Sequence, residues 1–257
     1  MARLILRELA DAVEQGRPVA SATVVRTHRS VPRHAGSRML VYADASISGT
    51  IGGGEMERRV IDEALAALAD RRPRLTSYTL LDPAGGDPGV CGGEVEIYVE
   101  PHMPAPSLLV VGAGHVGRAV VDLAHWLGHR TVVWDDRPEA LTDLENADAV
   151  VGGSIADAAH EAACGADDAI VMVTRNVDLD VDLLPVLLAT SAGYVGLMGS
   201  RRRWETTRAR LSEAGIATAD LDRVMSPIGV DIDAETPEEI AVSILAEVIA
   251  ARGRSPS

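Results

Sequence analysis

The sequence has no lysine, and only two of its 257 residues are cysteine, Cys91 and Cys164. All 24 basic side chains other than histidine are arginine. Without lysine there is no Schiff-base chemistry and no phosphate-loop lysine. Phosphate has to be met by arginine forks, histidine or backbone N–H groups. Two cysteines make no disulfide framework, which points to a reducing, cytoplasmic setting. No second cysteine or clustered histidine pair stands at zinc-ligand spacing. No apolar run reaches the roughly 18–20 residues that span a bilayer, so no membrane association is expected. The opening Met1-Ala2-Arg3-Leu4-Ile5-Leu6 is soon followed by Glu8 and Asp11 and has no small-residue cleavage site; it reads as a helix rather than a signal peptide. A net charge of −14 argues against wrapping nucleic acid. What is plentiful is apolar residues, 47% of the chain, enough to pack one large domain or two modest ones.

Three prolines between Pro101 and Pro106 mark a stiff linker over 101–106. It separates a first domain, 1–100, from a second, 107–257. In the first, 3–15 reads as a helix, 19–26 as a strand, and 37–43 and 46–51 as a strand pair. A helix follows over 55–70, with Met56, Val60, Ala64, Leu65 and Leu68 on one face, then strands near 74–80 and 94–99 around a glycine-rich loop. This is a small α+β domain. In the second, strands over 107–112, 131–135, 147–151, 169–174 and 193–198 alternate with helices. The last helix opens on Thr236-Pro237-Glu238-Glu239, a capping box with proline at the first helical position. The fold class is α/β: a C-terminal Rossmann-like parallel sheet preceded by a smaller α+β domain.

The second domain carries Gly112-Ala113-Gly114-His115-Val116-Gly117 directly after an apolar strand and at the start of an amphipathic helix. In that context the first glycine permits a tight turn, the second lets backbone approach a pyrophosphate, and the third lets helix and strand pack closely. The helix start offers N–H groups to the anion, with His115 beside the phosphate rather than acting as a base. About twenty residues on, Asp135-Asp136-Arg137 offers a carboxylate suited to a ribose diol. Arg137 either holds a 2′-phosphate or pairs with the aspartates.

The first domain has three loops too specific for plain scaffolding. Ser30 to Met39 is a basic loop entering a strand and contains Arg38. Gly52-Gly53-Gly54 precedes Glu55-Met56-Glu57, and a glycine run at a helix start exposes N–H groups to an anion. Gly89-Val90-Cys91-Gly92-Gly93-Glu94 sets an open thiol among glycines, suited to a nucleophile, a soft-metal ligand or a sulfur carrier. Cys164, within Glu161 to Gly165, reads as a core residue on a helix.

Taken together, these segments resemble the XdhC/CoxI family, the xanthine dehydrogenase accessory proteins. In the first domain the likeness rests on Pro32-Arg33, Gly36-Ser37-Arg38-Met39, Gly49 to Gly54 with Glu57, and Val90-Cys91-Gly92-Gly93-Glu94-Val95-Glu96 through Glu100-Pro101. In the second it rests on Val111 to Gly117, Asp135 to Glu139, Gly196 to Arg202, Pro227 to Ile232 and Thr236 to Ala241. The resemblance implies a molybdenum cofactor chaperone without turnover of its own. Such a protein binds the molybdopterin, as mononucleotide or dinucleotide, supports its sulfuration by a partner cysteine desulfurase, and delivers it to a molybdenum hydroxylase client. On that reading the turn of Gly112, Gly114, His115 and Gly117, with Asp135 and Asp136, holds the phosphate-bearing end. Gly52, Gly53, Gly54, Glu57, Gly92 and Gly93 line the cofactor, Cys91 contacts the molybdenum or its terminal ligand, and Arg38 and Arg201 clamp oxygens. A homodimer would complete these loop surfaces. Two departures stand out. Glu55 follows the triple glycine where many relatives have cysteine. Thr174-Arg175-Asn176 stands where relatives carry a histidine-bearing run. Residue chemistry alone leaves two other readings, an NAD(P)-dependent oxidoreductase and a nucleotide-sensing binding module.

Overall fold

A computed structural model of the chain describes residues 2–29, 31, 33–79 and 93–252. Two compact units divide between Pro104 and Ala105.

The first unit runs α1 (Ala2–Glu14), β1 (Val19–His28), β2 (Arg38–Tyr42), β3 (Ile47–Gly49), α2 (Gly54–Asp70), β4 (Arg74–Thr79) and β5 (Glu94–His102). Its antiparallel sheet has the order β3-β2-β1-β5-β4. Period-2 alternation gives each sheet face its own helix. Ala20, Ala22, Met39, Val41, Ile97 and Val99 pack with Met56, Val60 and Ala64 of α2, while Val19 and Leu40 meet Ile5 and Ala12 of α1. The expected linker starts too early. β5 continues through Pro101 and His102, which pair with Ala20 and Val19. The sheet tolerates the proline there because β4 begins opposite Val99, leaving Pro101 paired on one side only.

The second unit begins with β6 (Ser107–Val111), α3 (His115–Trp126), β7 (Arg130–Trp134), β8 (Ala149–Val151), α4 (Ile155–Glu161) and β9 (Ala169–Met172). It continues through α5 (Val177–Leu188), β10 (Tyr194–Leu197), α6 (Arg201–Glu213), α7 (Thr218–Leu221), β11 (Val224–Met225) and α8 (Pro237–Arg252). The parallel sheet has the order β11-β10-β9-β6-β7-β8. Every residue of β6 is buried, as both-face coverage requires. Leu108 and Val110 face α3 and α8, packing with Val120, Ala124, Ile244 and Val248. Leu109 and Val111 face the other helical layer, with Ala158, Leu184 and Leu211.

The capping box is formed: the Glu239 amide donates to Thr236 Oγ1 at 3.2 Å, and the Thr236 amide to Glu239 Oε2 at 3.0 Å. Cys164 is buried at 3% exposure but lies beyond α4 rather than on it, because Ala163 turns to positive φ (56°) and ends the helix. Burial, then the Asp168 charge, push its thiol up to about 11, which leaves it unreactive.

Candidate functional site

β6 lies at the centre of its sheet, and the strand order reverses beside it, between β6 and β9. Open α/β sheets bind ligands at the carboxyl ends of the strands at such a switch point. A crevice of about 200 Å³ opens there. Gly112 and Gly114 form one wall, Asp135 to Arg137 after β7 the second, and Thr174 and Arg175 after β9 the third.

The three glycines of the turn have different reasons to be glycine. Gly112 has φ +115°, and a Cβ on it would lie 2.8 Å from the Val173 carbonyl oxygen. A Cβ on Gly117 would lie 1.8 Å from the Gly112 carbonyl oxygen. The fold itself therefore excludes a side chain at both. Gly114 is different: its φ of −73° suits any residue, and a Cβ there would meet nothing within 4 Å. It precedes α3, whose first turn has no side-chain cap. The space above Gly114 is open and lies next to the amides of a helix start, a setting that favours anions.

Asp135 does not take the role its position suggested. It is buried at 3% exposure. Its Oδ2 accepts the Ala113 amide at 2.8 Å and Arg137 Nη2 at 2.9 Å; its Oδ1 accepts the Arg137 amide at 3.0 Å and Arg137 Nε at 2.9 Å. A carboxylate has about four acceptor positions, and these bonds fill them, leaving none for a ribose. Burial works to raise this carboxyl, but the Arg137 guanidinium and the Ala113 and Arg137 amides outweigh it and hold the group far below the usual carboxylate range. Asp135 and Arg137 therefore lock the turn to the end of β7. Asp136 points to the other wall, where Arg175 grips it with two hydrogen bonds of 2.6 Å.

The wall after β9 rests on two residues the sequence reading missed, Asp180 and Arg203. Asp180 on α5 is fully buried. Arg203 on α6 donates to both its carboxylate oxygens at 2.8 Å, and also to the carbonyls of Thr174 (3.0 Å) and Asn176 (3.2 Å). Thr174 Oγ1 also donates to Asp180. The run Arg201-Arg202-Arg203 was visible, but helical phase decides which arginine turns inward. Arg201, the expected clamp, is exposed on the first turn of α6. His115 is exposed and lines a different groove, between α3 and α8, with Arg118, Trp126 and Val242.

In the first unit the triple glycine holds an anion of its own. Gly52, Gly53 and Gly54 all have positive φ (145°, 80° and 71°). The amides of Ile51 and Gly53 donate at 3.2 Å to Glu57 Oε2, which also accepts Thr50 Oγ1 at 2.5 Å. Of the glycine amides, that of Gly53 is thus met by the carboxylate one helical turn along, and that of Gly52 by Thr50 Oγ1 at 3.2 Å. Arg38 lies in β2 opposite Thr23. Gly93 is buried just ahead of β5, while Cys91 and Gly92 lie outside the described residues. Among the described residues no group of three or more His, Cys, Asp or Glu side chains is arranged to hold a metal ion, and no helix is long and apolar enough to cross a membrane.

Comparison with known proteins agrees with this architecture. Residues 108–248 match the XdhC Rossmann domain, and residues 12–79 match the XdhC and CoxI family. An uncharacterised Escherichia coli protein, YqeB, is 37% identical over 98% of this chain and 47% of its own length. A Bacillus subtilis protein, named as a probable xanthine dehydrogenase subunit, is 31% identical over 62% of this chain and 46% of its own length. The chain thus spans about half the length of these two relatives. The molybdenum cofactor insertion chaperone PaoD of E. coli is 23% identical, over 97% of this chain and 88% of its own. Among solved structures, one from Bacillus halodurans named as a xanthine dehydrogenase shares the fold, with a TM-score of 0.52, 23% identity and 96% coverage of both chains. With its second unit matched almost throughout by the Rossmann-domain model, the chain belongs to the XdhC and CoxI family.

Proposed function

We propose that this protein is an accessory factor in the maturation of molybdenum enzymes. It binds molybdenum cofactor as cargo, supports its sulfuration by a cysteine desulfurase, and passes it to a hydroxylase of the xanthine dehydrogenase or CO dehydrogenase type. The observation that carries the ligand-binding part is Gly114. It is the one glycine of the turn that the protein's own packing does not require, and it borders open space at an uncapped helix start. The phosphate or pyrophosphate of the pterin fits that space, so Gly112, Gly114 and the first amides of α3 would hold it. The molybdenum end supplies the oxo and sulfido chemistry of the client enzyme, and Cys91 is the proposed contact there. The family and the names of PaoD and the B. subtilis relative support the same reading.

The test is the small molecule released from natively purified protein. Molybdopterin is expected, and Gly114→Val, which fills the space, should remove it. Cys91→Ala should weaken cofactor retention or activation of the client. Saturable NADH binding with substrate-dependent turnover and no molybdopterin would overturn the proposal in favour of an oxidoreductase.

A further inference from the structure

Asp135 is saturated by four hydrogen bonds from Ala113 and Arg137, so the carboxylate that would ordinarily receive a ribose is spent. The neighbouring acid, Asp136, is differently placed. Its side chain is 31% exposed, and its Arg175 partner 45%. The two residues come from opposite sides of the switch point, one after β7 and one after β9, and both line the crevice. Both partners face solvent, so a ligand that offers each a replacement can displace the pair despite its two short hydrogen bonds. The backbone of Arg175 stays in place when its side chain moves, because Arg203 grips the carbonyls of the residues on either side, Thr174 and Asn176.

We propose that Arg175 is an anion hook stored on Asp136, and that the two are released together: Asp136 to a ribose diol of the ligand, Arg175 to the ligand's phosphate. The proposal rests on the reading that a phosphate-bearing ligand occupies the glycine turn. It adds the means of selection: among phosphate-bearing ligands, one that also carries a ribose diol is favoured. The selectivity follows from charge and hydrogen bonding. A ligand with both diol and phosphate gives each released partner a replacement. A bare phosphate ester takes Arg175 and leaves Asp136 unpaired beside the new anion, where like charges repel. The same pair therefore attracts nucleotides and rejects simple anions.

Calorimetric titration of the full chain with adenosine diphosphate, its 2′,3′-dideoxy analogue and inorganic pyrophosphate tests this directly. Wild type should bind the ribonucleotide about tenfold more tightly than either other probe, the scale of one charge-assisted hydrogen bond. Gly114→Val should abolish binding, which locates it at the turn. Arg175→Gln should weaken the ribonucleotide about tenfold. Asp136→Asn should do the opposite for pyrophosphate and tighten it, while erasing the preference over the dideoxy analogue. A purely structural ion pair would instead give losses in the same direction for both variants, and that result overturns the proposal. So does equal affinity of wild type for the ribonucleotide and the dideoxy analogue, a comparison that needs no variant, or failure of wild type to bind the ribonucleotide at all. Molybdopterin content measured on the same preparations stands or falls separately, so loss of the nucleotide preference is distinguishable from loss of the chaperone reading.

Discussion

At the residue scale, three glycines at fixed spacing do three different things. Gly117→Ala drives a methyl into the Gly112 carbonyl, and a cost above about 3 kcal/mol is expected in denaturant unfolding. Gly114→Ala should stay within about 1 kcal/mol of wild type in the same measurement, because nothing of the protein's own lies in the way. Spacing made the turn legible in the sequence. It left open whether Arg137 holds a phosphate or pairs with the aspartates, because the direction of that side chain is set by the fold; it pairs with Asp135 and fills it. A second residue-scale outcome concerns His129, which accepts a hydrogen bond from Arg252 at 2.8 Å. Burial, then the Arg252 charge, lower it from 6.5 to about 4. Between these values the unfolded chain takes a proton that the folded chain refuses. The stability from neutral His129 is thus fully present above 6.5 and is lost as pH falls toward 4. Melting temperature should fall across that window, with a shallower slope in His129→Gln. The depressed Asp135 adds its own loss only below its ordinary value of 3.8.

At the scale of elements, α5 and α6 are joined to the end of β9 by one buried charge pair. Arg203→Met leaves Asp180 without a counter-charge in a fully buried position. A loss of roughly 3–5 kcal/mol in unfolding free energy is expected, and Asp180→Asn in the same background should restore part of it. In the first unit the equivalent anchor is Glu57. Glu57→Ala orphans the Ile51 and Gly53 amides, and a cost of about 1–3 kcal/mol should appear in denaturant melts. Element type was legible where patterning is strong: alternating strands, the Thr236–Glu239 cap, and the apolar face of α2. Ends were less so. β5 runs past the expected boundary because proline is barred from paired strand interiors but not from a segment paired on one side. That condition depends on where β4 starts, which the local sequence around β5 does not state.

At the scale of the molecule, the chain forms two units with separate cores. Residues 105–252 expressed alone should unfold in a single cooperative transition, as calorimetry would show. The alternation of strands and helices announced a doubly wound sheet, and the strand order bears it out. The crevice wall built on Arg175 was not foreseen, because it depends on β9 lying against β6, a pairing between distant parts of the chain. This pairing also sets when the crevice acquires its third wall. A nascent chain that has emerged only as far as β8 has its glycine turn and its aspartates but lacks the wall beyond them. On the function proposed above, loading waits for β9, α5 and α6, which complete the crevice.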